Sequence, residues 1–245
     1  KGEKMMIISS TEIQNNFGKY LKLLNQEDII ITKNGKKVAR LVKFYEKGDD
    51  IIKEGSSAYI YEGMEVSYEE FLKITRKSKK RYEYIDGKIY LLSSPKVKHQ
   101  KIVMILSNKL SSYFQNKECF PLTSPFDITL YKDDQANVVQ PDLLVICDQE
   151  NIKEDDSYAG TPSLVMEIIS ESSRSRDLIT KLELYMRSGV EEYWIINHFS
   201  EEITVYHFKE KEISNSITYK REEKVKSFKF KGLEINVDEV FNNKN

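Results

Sequence analysis

Pro141-Asp142-Leu143-Leu144-Val145-Ile146 and Leu164-Val165-Met166-Glu167-Ile168-Ile169 decide how this chain folds. Each is a short, nearly continuous apolar run. A strand covered on both faces reads this way, whereas a strand with one wet face alternates. Tyr193 to Ile196 is a further run of the same kind. Each of the first two runs carries one acid. Pro-Asp is common in turns, so Asp142 alone is compatible with a strand-end role. Glu167 is harder to explain that way, because its i±2 neighbours Val165 and Ile169 are apolar and no polar strand face accounts for it. An ionised carboxylate inside a central strand loses hydration, at high cost unless a cation or hydrogen-bond donors compensate. Adjacent strands would set the two acids side by side, where they repel. A divalent cation relieves both penalties, and hard oxygen ligands suit Mg²⁺ or Mn²⁺.

Outward from these strands, Ser67 with Glu70 has capping-box spacing and opens a helix to about Arg76. Glu83 to Leu92 reads as a hairpin around Asp86-Gly87, and Phe126 to Tyr131 and Ile203 to Phe208 alternate as strands. His99 to Gln115 is a helix with Ile102, Leu106, Leu110 and Phe114 on one face, and Arg176 to Ser188 is another with Leu178, Leu182 and Tyr185 inward. The second ends at Gly189. Lys181 follows Asp177 by one turn, so an i,i+4 pair on a solvated face is one reading. That is the more frequent case, but Lys181 also flanks the apolar stripe of Leu178 and Leu182, from where it could reach the strand ends, orient water or stabilise phosphate charge. Glu83 is a further candidate carboxylate, with a plain hairpin-start charge as the alternative. His99 reads as a capping or structural histidine.

The first 45 residues are organised differently. Met5 to Ile8 is a short strand, Ser9 and Glu12 have capping spacing, and Ile13, Phe17, Leu21 and Leu24 form one apolar helical stripe expected to be buried. Ile29 to Thr32 and Val38 to Phe44 flank Asn34-Gly35, a strong hairpin turn. This βαββ unit (1–45) is too small for a comfortable core of its own and is expected to dimerise. Residues 46–57 read as a linker, and 58–245 as the larger domain. Up to residue 47 ten lysines and arginines stand against five acids, so a head of +5 sits on a body of −6. Lys33, Lys36, Lys37 and Arg40 crowd the hairpin and suit phosphate contacts.

Composition excludes several classes. Apolar residues make up 40% and charged residues 31%, which is a folded chain and not a disordered one. No apolar run nears the roughly 20 residues of a membrane span, and the first ten residues are too short in apolar character for a signal peptide. A cytoplasmic protein is expected, with Cys119 and Cys147 as two reduced thiols. Gly-rich phosphate loops, zinc-ligand spacing and a Gly-x-Ser-x-Gly element are all absent.

Several stretches taken together carry a resemblance: Tyr82-Glu83-Tyr84-Ile85-Asp86-Gly87, His99-Gln100, Val139 to Leu144, Gly160 to Ser170, Asp177 to Tyr185, and Gly189 to Trp194. They are similar to the Uma-two family of restriction-endonuclease-like proteins in the PD-(D/E)XK nuclease superfamily. The resemblance implies a nuclease-like mixed sheet flanked by helices, Asp142 and Glu167 as metal ligands, Lys181 as catalytic lysine and Glu83 as auxiliary acid. The superfamily's lysine two residues after the glutamate is Ile169 here, and Lys181 on the next helix takes its place. Glu171 stands where proline is usual, and Asn197 where aspartate is usual. Residues 5–44 resemble the Phd/YefM antitoxin fold through Ile8 to Ile13, Phe17, Tyr20-Leu21 and Ile31 to Ala39, which implies dimerisation and DNA binding. The function these features imply is a Mg- or Mn-dependent endonuclease acting on nucleic acid, with DNA the expected partner. The alternative is a DNA-binding regulator of the antitoxin type whose nuclease-like domain is an interaction module.

Overall fold

In a computed structural model, residues 6–24, 29–41, 63–170 and 176–242 are described. The chain divides into two compact units, Lys1–Ile60 and Tyr61–Asn245. The expected linker 46–57 lies outside the described residues.

In the first unit, β1 (Met6–Ser9) leads into α1 (Ser10–Leu23), followed by β2 (Ile29–Lys33) and β3 (Lys36–Leu41). β2 lies between the other two, parallel to β1 and antiparallel to β3. Ser9 caps α1 by accepting the Glu12 N–H at 3.1 Å, and the Glu12 carboxylate accepts from Asn16 and Tyr20. Asn34 and Gly35 both have positive φ, the conformation a two-residue hairpin needs. The α1 stripe departs from expectation. Ile13 and Tyr20 are buried, Leu24 is half-buried, and Phe17 and Leu21 are 50% and 47% exposed. A three-stranded sheet covers one narrow face of a helix, and α1 is also broken in conformation at Asn16, so the stripe outruns what the sheet can cover.

The second unit runs β4 (Met64–Glu65), α2 (Tyr68–Arg76), β5 (Tyr82–Ile85), β6 (Lys88–Leu91), α3 (Val97–Phe114), β7 (Phe120–Thr123), β8 (Ile128–Lys132), β9 (Gln135–Val139), β10 (Leu143–Ile146) and β11 (Leu164–Ile168). A π-helical turn, Arg176–Lys181, continues into α4 (Leu182–Arg187). Then come β12 (Glu192–Asn197), β13 (Glu202–Lys209), β14 (Glu212–Tyr219), β15 (Lys224–Lys226), β16 (Glu234–Asn236) and α5 (Val237–Phe241). A six-stranded mixed sheet has the order β14-β13-β12-β11-β10-β7, with β11 and β12 its parallel pair. A five-stranded antiparallel sheet has the order β4-β6-β5-β9-β8. This is the α+β architecture expected, with more strands than the sequence pattern disclosed.

Both faces of the six-stranded sheet are covered, which is why its central strands are apolar throughout. One face packs Leu143, Val145, Met166 and Trp194 against Ile102, Leu106 and Leu110 of α3 and against α5. The other packs Leu144, Val165 and Tyr193 against Leu184 and Tyr185 of α4 and against Ile85, Ile128 and Val139 of the second sheet. α2, held by a complete Ser67–Glu70 capping box, covers that second sheet through Phe71, Tyr82 and Tyr84. β5 is thus sandwiched too, and its Glu83 is fully buried. Glu192, also fully buried, is satisfied by Trp194 and by the backbone of Phe228 and Lys229.

Cys119 and Cys147, expected as free thiols, form a disulfide. The reason is register. β7 and β10 are antiparallel with Phe120 opposite Ile146, so the next pair along brings the two cysteines face to face. Twenty-eight residues of separation hid that pairing in the sequence.

Candidate active site

β10 and β11 are antiparallel, with Leu143 opposite Met166. One further step in this register sets Asp142 opposite Glu167. Asp142 accepts the Ile168 N–H through Oδ2 at 2.8 Å, a bond that ties its carboxylate across to β11. His99 Nε2, in the first turn of α3, lies 3.0 Å from the same oxygen and donates to it, since a carboxylate only accepts. The reading of His99 as a helix cap is corrected: the cap position is Lys96, without a side-chain bond, and His99 reaches the acid instead.

Glu167 points to the α4 face. Its Oε1 accepts from Lys181 Nζ at 2.8 Å and from Tyr185 OH at 2.7 Å. Lys181 Nζ also lies 2.7 Å from Glu83 Oε1 and 3.8 Å from Asp177. The Asp177–Lys181 pair therefore exists, but both residues are buried, and the solvated-face reading is corrected. The π-helical turn is the local cause. Its wider turn and Lys181's place one turn before Tyr185 put ammonium and phenol on one face, toward the strand. Glu83 Oε1 accepts the Gln140 N–H as well, while its Oε2 is buried without a partner.

Asp142, Glu167, Glu83 and Lys181 are thus brought to one end of the sheet by four separate elements. The arrangement is strongly electrostatic. Burial pushes the Glu167 carboxyl well above the usual range; Lys181 opposes that shift and Asp142, Asp177 and Glu83 add to it. Lys181 is held protonated, because its carboxylate neighbours outweigh the desolvation that would lower it. Tyr185 is pushed up by burial and then by Glu167, so it stays a donor.

Three carboxylates face one ammonium, Asp142 adds a fourth acid that acts on Glu167, and Asp142 Oδ1 and Glu167 Oε2 accept no hydrogen bond from the described residues. Surplus negative charge with two open hard oxygens fits a small divalent cation. No three His, Cys, Asp or Glu side chains converge as a ready-made metal cluster among the described residues, so the remaining ligands of such an ion would be water or substrate oxygens. Tyr185 and His99 are the partners that sequence reasoning missed. Tyr185 was legible as four residues after Lys181 on the same helix face; His99 stood out through the His99-Gln100 stretch, but no local pattern pointed it at Asp142.

Of the four hairpin residues, Lys33, Lys36 and Lys37 are exposed around the Asn34-Gly35 turn. The Arg40 side chain lies outside the described residues. These residues belong to the other unit. No helix among the described residues is long and apolar enough to cross a membrane.

Comparison with known proteins bears on both units. Residues 5–51 match the family described as “Antitoxin Phd_YefM, type II toxin-antitoxin system”. An uncharacterized protein of Synechocystis sp. is 28% identical over 143 residues, 58% of this chain and 74% of that protein. A crystal structure described as a “putative nuclease belonging to DUF820”, from Anabaena variabilis, superposes with a TM-score of 0.60 at 19% identity, covering 72% of this chain and 98% of that one. At that identity the likeness is one of fold. The family model described as “Putative restriction endonuclease” matches residues 68–238, a span that encloses the whole carboxylate–lysine cluster and every strand of its two flanking sheets except β4; the chain belongs to this family, Uma2.

Proposed function

We propose that the second unit is a divalent-metal-dependent endonuclease that hydrolyses phosphodiester bonds, with DNA as its substrate. The observation that carries this reading is the register that sets Asp142 against Glu167, with Lys181 bridging Glu167 and Glu83. Asp142 and Glu167 would hold Mg²⁺ or Mn²⁺, which when bound lowers the pKa of water and withdraws charge from a phosphoryl oxygen. His99 and the Ile168 N–H both engage Oδ2 of the Asp142 carboxylate, which leaves Oδ1 to accept from or bind another group. Lys181, held protonated, is a poor base. Its role is to fix Glu167 and to offset the charge of the carboxylates around it. Tyr185 donates to Glu167 and excludes water behind it, and Glu83 keeps Lys181 in place.

For the first unit we propose homodimerisation through the exposed α1 stripe, with Lys33, Lys36, Lys37 and Arg40 on DNA phosphates. The match to antitoxins supports it, and it also supports the alternative in which the chain regulates by binding DNA and does not cut it. We place the protein in the cytoplasm, with the disulfide as the feature that runs against a reducing compartment. One assay separates enzyme from regulator. Purified chain incubated with plasmid DNA and Mg²⁺ or Mn²⁺ should nick or linearise it, and Glu167→Gln and Lys181→Met should not. Equal cutting by wild type and both variants would assign the activity to a contaminant and remove the site.

A further inference from the structure

Arg176 opens the π-helical turn, one residue before Asp177. Its guanidinium carbon lies 4.7 Å above the Tyr90 ring. Tyr90 is directly opposite Glu83 in the β5–β6 register, and directly opposed side chains share a sheet face. The guanidinium therefore sits on the flank of the carboxylate cluster. Lys181 is committed there to Glu83, Glu167 and Asp177. Arg176 forms no ion pair with any described residue, and its Nη1 is buried without a hydrogen-bond partner. A buried N–H of a charged group left unmet is costly, and acids stand nearby in excess, yet the fold does not direct one to it.

We propose that Arg176 is a phosphate-binding residue of this site, gripping a phosphodiester of the nucleic-acid substrate. This rests on the nuclease reading given above. The chemistry fits the need. A cluster of four carboxylates repels a polyanion, and Lys181 has already spent its charge inside the protein. An uncommitted cation at the rim restores attraction for phosphate. The guanidinium is planar, with N–H groups in a fork matched to two phosphate oxygens. The cation–π contact with Tyr90 holds the guanidinium in place, so less freedom is lost when the anion arrives.

The test uses the full chain labelled with ¹⁵N-arginine. The Arg176 Nε–Hε signal, assigned by its loss in Arg176→Lys, is followed during titration with dimethyl phosphate, a minimal phosphodiester, against sodium chloride of equal ionic strength. A saturable shift with the diester alone is expected. In cleavage assays Arg176→Gln should raise KM roughly ten- to hundredfold, the range of a charge-assisted hydrogen bond, and Arg176→Lys should recover part of it because charge returns without the fork. A signal that does not move, or an Arg176→Gln variant with unchanged kcat/KM and an unchanged melting temperature, overturns the proposal. Should the wild type cut no nucleic acid with either metal while the diester still shifts the signal, the anion site stands and the nuclease reading falls.

Discussion

Lys181→Met removes the one ammonium at the centre of the cluster and leaves a side chain of similar length. Lys181 is 4% exposed, with Glu83 and Glu167, themselves 0% and 5% exposed, at 2.7 and 2.8 Å. At an effective dielectric near 20, each contact is a raw attraction of about 6 kcal/mol, most of it offset by the desolvation of all three groups. Deleting one partner of a buried pair, which leaves the others uncompensated, costs about 3–5 kcal/mol. That is a large share of the roughly 5–15 kcal/mol by which a domain is stable. The sign of the pH dependence follows from Glu167. Its folded pKa is raised, so the folded state binds the proton more tightly than the unfolded chain. Its contribution is favourable at low pH and is lost as pH rises through the raised value. Removing Lys181 raises it further. The loss in Lys181→Met should therefore grow as pH rises above the ordinary carboxylate value of 4.5 and shrink as pH falls back toward it. The assay is urea unfolding in EDTA at several pH values, followed by the fluorescence of Trp194. This is the only tryptophan and is fully buried in the second unit, so the first unit does not blur the transition. A loss below about 1 kcal/mol at pH 8, which is the value of a surface pair, would refute the reasoning, as would a loss that does not change with pH.

Millimolar Mn²⁺ should raise the melting temperature of the wild type, by a stabilisation of about 2.7 kcal/mol at a hundredfold excess over Kd. In Glu167→Gln the shift should largely vanish, and the EDTA form should be at least as stable as wild type; equal shifts in differential scanning calorimetry would remove Glu167 as a ligand. Phe17→Ser with Leu21→Ser should convert a dimer to a monomer by light scattering, and a wild type already monomeric would show the stripe to be idle surface. Leu106→Ala, which opens a cavity between α3 and the sheet, should cost about 2–5 kcal/mol by Trp194 fluorescence, while Val97→Ala on the exposed start of α3 should cost little.

Much of the second unit was legible in the chain. Runs such as Leu143 to Ile146 and Leu164 to Ile168 announce strands buried on both faces, and an acid inside one is a departure large enough to mark a site. Ser67 with Glu70, Asn34-Gly35 and Asp86-Gly87 mark their elements because a cap or a positive φ is a local requirement. β7, β9 and β14 were not legible. β7 contains Pro121, β9 begins at Gln135 and Ala136, and β14 lies at the sheet edge with nearly every residue exposed. Their strand character comes from the neighbour they pair with, not from their own pattern.

The sequence by itself determined that one acid sits inside an apolar run and another stands at the start of one, that a lysine lies on the helix after them, and that a basic head precedes an acidic body. These are properties of residue order. Only the tertiary structure decided that Asp142 faces Glu167, that Lys181 turns inward between Glu167 and Glu83, that His99 reaches Asp142, and that Cys119 meets Cys147. Each joins residues between 14 and 98 positions apart, and strand register and helix rotation set which side chains meet. A one-residue slip in register would send Glu167 to the α3 face, and no local pattern encodes that choice; it is made by packing both faces of the sheet at once.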